Sequence, residues 1–205
     1  MHREILSKQQ LDLLPLISAF SDQYYLVGGT AIALHIGHRH SIDYDLFTEG
    51  EIKRKQIKNV IDKKGFHPDR IIYEAYDQMH IIITGVKLTF FQYPFKINAE
   101  HNFESIINIP DLIDLAAMKV YALGGRAKWK DYVDLFFILK DHFSLKEVSS
   151  RAKELYGEYY NEKLFKEQLC WFEDIDYTET VTFADDQPTE EDIKLFLTEK
   201  ATTAF

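Results

Sequence analysis

The sequence predicts an α/β (α+β) fold in which helices flank a mixed, twisted sheet and a helical part follows. Three observations support this prediction. A short apolar run, Tyr25–Val27, stops at two glycines, and alternating apolar and polar residues follow at 42–47. Three runs between residues 70 and 91 are rich in branched and aromatic side chains, which favour strands. From residue 110 onward, apolar residues recur at helical spacing.

The elements of the first part follow in order. A helix is predicted over residues 4–20, with Ser7 as a cap and Pro15 as a kink or a boundary. Residues 25–47 predict a strand, a glycine turn, a short helix and a second strand. Residues 52–61 are predicted to form an amphipathic helix. Strands are predicted at 70–73, 80–83 and 86–91, the last two joined by a tight turn at Thr84-Gly85.

The second part is mostly helical. Helices are predicted at 111–123 and 129–142, with a weaker helical run at 145–172. A polar break at 173–188 precedes a last helix, whose start has Thr189 as a capping residue and acids in its first turn. The two parts are predicted to divide between residues 109 and 110.

Length and composition restrict the class of protein. The chain has 205 residues, and 46% of them are hydrophobic, which is enough for a proper core. The single cysteine, Cys170, excludes an internal disulfide and fits a reducing compartment. The N-terminus has no secretory signal, and no segment approaches the roughly 20 apolar residues that span a bilayer. We therefore expect a cytoplasmic protein with no membrane partner.

The charge is unevenly distributed. The formal net charge is −9, which argues against broad non-specific affinity for nucleic acid. Residues 173–205 hold ten of the acids against two lysines, so the rest of the chain is nearly neutral. The basic cluster at 53–64 is predicted to be a solvated helix face, with contact to a polyanionic substrate as the alternative. A second basic patch lies at 126–130, and both patches would support RNA as the acceptor.

Two acids in the alternating segment predict a metal site. Side chains alternate across a strand, so Asp43 and Asp45 project from one face. The opposite face is predicted to hold Ile42, Tyr44 and Leu46. Two carboxylates on one rigid face suit a hard divalent cation, which relieves their mutual repulsion. The expected ion is Mg²⁺, with Mn²⁺ as an alternative.

The glycine turn before the short helix predicts a phosphate site. Gly28 and Gly29 lack Cβ atoms and allow close approach to the backbone, and the helix that follows presents N–H groups and the positive end of its dipole. With Thr30, this turn is expected to cradle phosphate.

A phosphate cradle thirteen residues ahead of an Asp-x-Asp strand resembles the polymerase-β-like nucleotidyltransferases. With Arg39 and Ser41 before the acids and Leu46-Phe47 after them, the string is similar to the AbiEii/AbiGii-type nucleotidyltransferase toxin family. The resemblance implies transfer of a nucleoside monophosphate (NMP) from a nucleoside triphosphate (NTP) to an acceptor hydroxyl. It makes residues 1–109 the nucleotidyltransferase core and residues 110–205 a helical part that completes the active site and ends in an acidic segment.

The resemblance also implies roles for single residues. Asp43 and Asp45 would bind the metal, and Gly28, Gly29 and Thr30 would hold the nucleotide phosphates. Further nucleotide-binding residues would be Arg39, Ser41, Lys87, Thr89 and Arg126. Thr89 stands where the superfamily usually has a third carboxylate, whereas the narrower family accepts a Lys-x-Ser/Thr there. This departure leaves the number of metal ions open.

The helix at 111–123 carries an unusual lysine. Lys119 falls within the apolar stripe, so a buried carboxylate or a bound triphosphate is expected to meet its charge, unless the side chain extends past the stripe to water. The resemblance assigns Lys119 to the nucleotide phosphates and Asp131 as an additional active-site acid, with Arg126 and Lys130 along the phosphate path. Asp134 is the weaker candidate and is predicted to cap the helix or to pair with Arg126.

Several alternatives stay open at this point. A zinc site at His35, His38 and His40 is disfavoured by their spacing and by the lack of a nearby cysteine. The resemblance implies a toxin with a cognate antitoxin and RNA, in particular tRNA, as the acceptor. A small molecule such as an aminoglycoside, or a protein hydroxyl, is the alternative acceptor. A third hypothesis is a non-catalytic nucleotide-binding module of the same fold.

Overall fold

The computed structural model describes residues 1–185 and 187–203. Asp186 of the acidic segment lies outside the described residues, as do Ala204 and Phe205. The chain divides into two compact units, Met1–Asp111 and Leu112–Phe205, and each is described by itself.

The first unit contains the mixed sheet that the sequence predicts. Its strands are β1 (Tyr25–Val27), β2 (Tyr44–Thr48), β3 (Arg70–Glu74), β4 (Gln78–Ile83) and β5 (Val86–Gln92). They lie in the order β1-β2-β5-β4-β3. Strands β2 and β5 are parallel, whereas the other pairs are antiparallel. Because β2 and β5 are distant in sequence, this parallel pair joins the predicted acid strand to the later strands.

Three helices accompany the sheet. They are α1 (Lys8–Ser18), α2 (Gly28–Ile36) and α3 (Arg54–Lys63). Helix α1 begins with a capping box in which the Ser7 hydroxyl accepts from the N–H of Gln10, as expected for a Ser cap. The helix continues through Pro15, so the prediction of a boundary there was wrong. The two faces of α3 agree with its predicted amphipathic pattern, with Ile57 and Ile61 buried.

The acid strand differs from the prediction at its start. Strand β2 begins at Tyr44, so Asp43 directly precedes it. Tyr44 and Leu46 are buried, as predicted, but the Ile42 side chain is 68% exposed. The prediction that Ile42 shares their buried face was wrong, because this residue lies before the strand, where alternation does not hold. A short hairpin, β6 (His101–Phe103) and β7 (Ile107–Ile109), was not predicted.

The second unit is helical. Its helices are α4 (Leu112–Leu123), α5 (Trp129–Asp141), α6 (Leu145–Tyr156), α7 (Glu162–Leu169) and α8 (Glu190–Thr202). The predicted run at 145–172 is two helices, because the chain leaves α6 at Gly157 and makes a single 3-10 turn before α7. Helix α8 has the predicted Thr189 cap, with Asp192 completing a capping box. Among residues 1–185 and 187–203, no helix is long and apolar enough to cross a bilayer.

Candidate functional site

The parallel pair β2 and β5 sets the geometry of the acid site. In its register Asp45 is the neighbour of Thr89. Neighbouring residues of paired strands project to the same face, so Lys87, two residues before Thr89, lies beside Asp43. The Lys87 ammonium forms an ion pair with Asp43, at 2.8 Å between Nζ and Oδ2. The structure therefore brings Asp43, Asp45, Lys87 and Thr89 together on one face of the sheet.

Gly28 leaves the space that the Asp45 carboxylate occupies. Its φ is +74°, in the region that favours glycine. A Cβ added at Gly28 would overlap Oδ2 of Asp45. The first residue of α2 therefore lies directly against the acid, so the glycine turn and Asp45 form one site.

Gly29 has a corresponding neighbour in Arg39. A Cβ at Gly29 would overlap the Arg39 guanidinium. Arg39 is only 3% exposed, and its Nη1 donates to the carbonyl of His40 at 2.9 Å. Arg39 therefore packs against the glycine turn at Gly29 and stabilises it. The sequence did not suggest this structural role. Nucleotide binding by Arg39 stays a prediction.

Thr30 holds the backbone of Asp43 in place. The buried Thr30 hydroxyl lies 2.9 Å from Oγ of Ser41 and donates to the carbonyl of Asp43. The amide of Gln10 also reaches this carbonyl, at 3.5 Å. Helices α1 and α2 therefore both hold the segment that leads into β2. The predicted residues Thr30 and Ser41 lie at the site, where they position Asp43.

His80 belongs to the same face, and we did not predict it. It is the register neighbour of Thr89 on β4, and its Nε2 lies 2.9 Å from Oε1 of Gln78. Burial lowers the pKa of His80, and the charge of Lys87 lowers it further, while Asp45 opposes both. The tight turn at Thr84-Gly85 was a usable signal, because pairing Ile83 with Val86 across it places residue 80 beside residue 89.

The three histidines of the zinc alternative lie in different surroundings. His35 Nε2 is 2.9 Å from the carbonyl of Pro110, whereas His40 Nδ1 is 2.9 Å from the carbonyl of Ile5. His38 is buried. Two of the three rings thus contact backbone oxygens of separate segments.

In the second unit, Lys119 is the centre of a buried ionic cluster. Its Nζ lies 2.7 Å from Oδ1 of Asp131 and 2.8 Å from Oδ2 of Asp134. The lysine is 5% exposed, and both acids are fully buried. The expected buried carboxylate is thus present, and there are two. Asp134, predicted to cap the helix or to pair with Arg126, pairs with Lys119, while Arg126 pairs with Asp131 at 3.3 Å. The buried Asp134 reaches the ammonium because it lies three residues after Asp131 on the same face of α5.

Two lysines of the basic cluster at 126–130 pair with the acidic segment. Lys128 and Lys130 each contact one carboxylate oxygen of Glu179. The backbone of Asp176 pairs with this cluster, accepting from Trp129 N–H at 3.1 Å and donating to the Ala127 carbonyl at 2.7 Å. Lys130, which the resemblance places along the phosphate path, therefore pairs with Glu179.

The acid site has the chemistry of a divalent metal site. The carboxylate oxygens of Asp43 and Asp45 are hard ligands of the kind that Mg²⁺ and Mn²⁺ accept. Their side chains are only partly exposed, and Gly28 leaves the room that the Asp45 carboxylate needs, which any larger residue would take away. The residues present therefore fit such an ion.

Comparison with known proteins identifies the family. The family described as nucleotidyl transferase AbiEii toxin, type IV TA system, matches residues 13–203. An uncharacterised protein of Aquifex aeolicus (strain VF5), aq_aa25, is 31% identical over 202 residues, which cover 95% of each chain.

Two solved structures have similar folds. MenT4, the nucleotidyltransferase toxin Rv2826c of Mycobacterium tuberculosis H37Rv, has a TM-score of 0.61 at 13% identity, covering 95% of this chain and 82% of that one. The antibiotic-resistance factor ANT(2'')-Ia has a TM-score of 0.52 at 15% identity, covering 71% of this chain and 90% of that one. The extent of the family match and the identity to the Aquifex protein show that the chain belongs to the AbiEii nucleotidyltransferase toxin family and is an enzyme of that class.

Proposed function

We propose that this enzyme transfers an NMP from an NTP to a hydroxyl of RNA, in particular tRNA, with Mg²⁺ as its ion and Mn²⁺ as a substitute. One observation carries the proposal: Asp43 and Asp45 lie on one face, with Asp45 against Gly28 at the start of a helix. This places a pair of metal-binding oxygens beside a helix N-terminus that can hold phosphate.

The residues of the first unit have separate tasks in this proposal. Asp43 and Asp45 hold the ion, which when bound supplies positive charge to the reacting phosphate. The N–H groups at the start of α2, at Gly28, Gly29 and Thr30, are proposed to hold the triphosphate, while the two glycines leave room for Asp45 and Arg39. Thr30 and Ser41 keep Asp43 in position through their hydrogen bonds. Catalysis of this kind depends mostly on positioning and electrostatic stabilisation, which rigid surroundings provide.

We also propose that Lys119, Arg126 and Asp131 contribute to nucleotide binding, Arg126 by direct contact and the buried Lys119 and Asp131 by holding Arg126 in place. The support is the resemblance of this segment to the later motifs of the family, together with the ion pairs that order it. Arg126 is half exposed, so its guanidinium is accessible to a phosphate. Lys87 and Thr89 line the acid face and are proposed to contact the nucleotide or the acceptor.

The proposed acceptor, RNA, is supported by the family and by the charge of the first unit. The chain belongs to a toxin family, and one of the similar structures is a toxin. Both findings support a cognate antitoxin and a cellular target such as tRNA. The proposed location is the cytoplasm, where NTPs are available. The exposed lysines of α3 provide a basic surface in the first unit. A small-molecule acceptor is the second candidate, because an antibiotic-resistance factor shares the fold.

The test uses each NTP labelled at the α-phosphate, with Mg²⁺ and with tRNA, cellular protein or an aminoglycoside as acceptor. The wild type is compared with Asp45→Asn and with Asp62→Asn, a matched change at an exposed acid of α3. We expect label on tRNA with the wild type and Asp62→Asn, and a loss of about 10²-fold or more with Asp45→Asn.

Label on the aminoglycoside or on protein alone would move the acceptor to that class. Equal labelling by wild type and Asp45→Asn would contradict the proposed site. Metal-dependent NTP binding without any label would favour the non-catalytic module.

A further inference from the structure

A lysine lies inside the acid site, directly on one of its two carboxylates. The Lys87 side chain is 31% exposed and that of Asp43 is 14% exposed, so their 2.8 Å ion pair is partly shielded from water. Partial burial strengthens such a pair compared with one on the open surface. The contact lies at the start of the parallel pair of β2 and β5, whose register begins one residue later with Tyr44 beside Leu88.

The charges of this face allow for one divalent ion. Asp43 and Asp45 together carry two negative charges, and Lys87 supplies one positive charge. A single divalent ion would leave the face with a small positive charge that a triphosphate can balance. A second divalent ion would lie close to the ammonium, and the repulsion between them at a few ångströms is large in a partly shielded site.

The residues beside the Lys87–Asp43 ion pair also favour a single divalent ion. Thr89, beside Asp45, is neutral and only 9% exposed. His80, beside Thr89, has its pKa lowered by burial and then by Lys87. The side chains next to Asp45 on β5 and β4 thus add no negative charge that would attract another cation.

We propose that Lys87 is a built-in cation that takes the place of a second metal ion, so that the site holds one divalent ion at a time, on Asp43 and Asp45. This inference deepens the proposed function and rests on it. Lys87 is then a positioning residue for Asp43, and its ammonium stabilises negative charge next to the ion without having to be bound from solution.

The experiment counts bound Mn²⁺ by electron paramagnetic resonance, first with the metal alone and then with α,β-methylene-ATP, which cannot release pyrophosphate. The variants are Lys87→Glu, which replaces the cation with a third carboxylate, and Lys63→Glu, the same charge change at an exposed position of α3. A melting curve for each variant establishes that it is folded.

We expect one Mn²⁺ per chain for the wild type and Lys63→Glu, with and without the nucleotide, because Asp43 and Asp45 would hold the ion in both cases. Lys87→Glu is expected to bind two. A further variant, Lys87→Met, is expected to bind a single Mn²⁺ about tenfold more tightly, because the ammonium no longer competes for Asp43. If Lys87→Glu fails to fold, Lys87→Met alone decides the question.

Two ions on the wild type would overturn the inference, as would an unchanged or weaker affinity in Lys87→Met. These outcomes are separate from the fate of the proposed function. A wild type that binds one Mn²⁺ but no nucleotide would end the proposed function and leave the ion count intact. A wild type that transfers NMP with two bound ions would end the single-ion inference and leave the proposed function intact. A wild type that binds no Mn²⁺ would contradict both the inference and the proposed function.

Discussion

At Gly28, the effect of a side chain on folding stability and its effect on metal binding can be measured separately. Its positive φ makes any side chain unfavourable by about 1–2 kcal/mol. Its added Cβ would also displace the Asp45 carboxylate. We therefore predict that Gly28→Ala both destabilises the protein and removes its Mn²⁺ binding, measured by chemical unfolding and by metal titration.

The matched control is Gly65→Ala. Gly65 has a φ of +77°, almost the same as Gly28, but a Cβ there would meet nothing within 4 Å. This variant is expected to lose only the stability that its φ costs, about 1–2 kcal/mol, and to bind Mn²⁺ like the wild type. Equal metal binding by Gly28→Ala and Gly65→Ala would show that Asp45 does not depend on the glycine.

His80 gives a prediction about pH. Burial, followed by Lys87, lowers the pKa of the folded-state His80 below its ordinary 6.5. The unfolded chain therefore takes up this proton more readily than the folded chain, so protonation of this group favours unfolding. We predict that the wild type loses stability relative to His80→Gln as the pH falls through 6.5 and that the two have a constant difference above it. Denaturant unfolding between pH 8 and pH 5 measures this, and a gap that does not vary with pH would refute it.

At the scale of elements, helices α4 and α5 are joined by the cluster of Lys119, Asp131 and Asp134. Removing one member of a buried ion pair leaves unpaired charge, which costs about 3–5 kcal/mol. We predict a loss of this size in the free energy of unfolding for Lys119→Met. Lys163→Met, at an 86% exposed lysine of α7, should change it very little. A folded, fully stable Lys119→Met protein would mean that the cluster contributes nothing to stability.

The acidic segment is held on the start of α5 by Glu179. Burial by itself would raise the pKa of Glu179, but hydrogen bonds and charge from Lys128 and Lys130 outweigh it and lower the pKa to about 2. Such a depressed pKa stabilises the folded state above the ordinary value of 4.5, and this stabilisation is lost as the pH falls toward 2.

We therefore predict that wild type and Glu179→Gln differ in stability at pH 6 and converge between about pH 4.5 and pH 2. Unfolding of both proteins across this range tests the prediction. Glu158→Gln, at an exposed glutamate, is the control and should follow the wild type throughout. A difference that persists unchanged at pH 2 would mean that the charge of Glu179 is not its cause.

The elements with strong local patterns were predictable from the sequence. The strands at 70–74 and 86–92 are rich in branched and aromatic residues, and the caps at Ser7 and Thr189 mark helix starts. The hairpin of β6 and β7 was missed because its three-residue strands are too short for alternation to be visible. The run at 145–172 kept its apolar spacing across Gly157, so its division was missed.

For the whole molecule, the sequence predicted which residues form the acid site better than it predicted their contacts. Asp43, Asp45 and the glycines were recognised from spacing along the chain. The pairing of Lys87 with Asp43 depends on the parallel register of two strands about forty residues apart, which no local pattern specifies. The two carboxylates on Lys119 likewise required the packing of α4 and α5, although its place in an apolar stripe signalled a buried partner.

Nucleotidyl transfer by this protein is expected to depend on Asp43 and Asp45. The most direct measurement follows both ends of the triphosphate, with NTP labelled at the α-phosphate in one reaction and at the γ-phosphate in another. We predict that the α-label enters the acceptor while the γ-label leaves as pyrophosphate, and that Asp43→Asn/Asp45→Asn abolishes both. Transfer of the γ-label to the acceptor, or pyrophosphate release that the double substitution leaves unchanged, would contradict it.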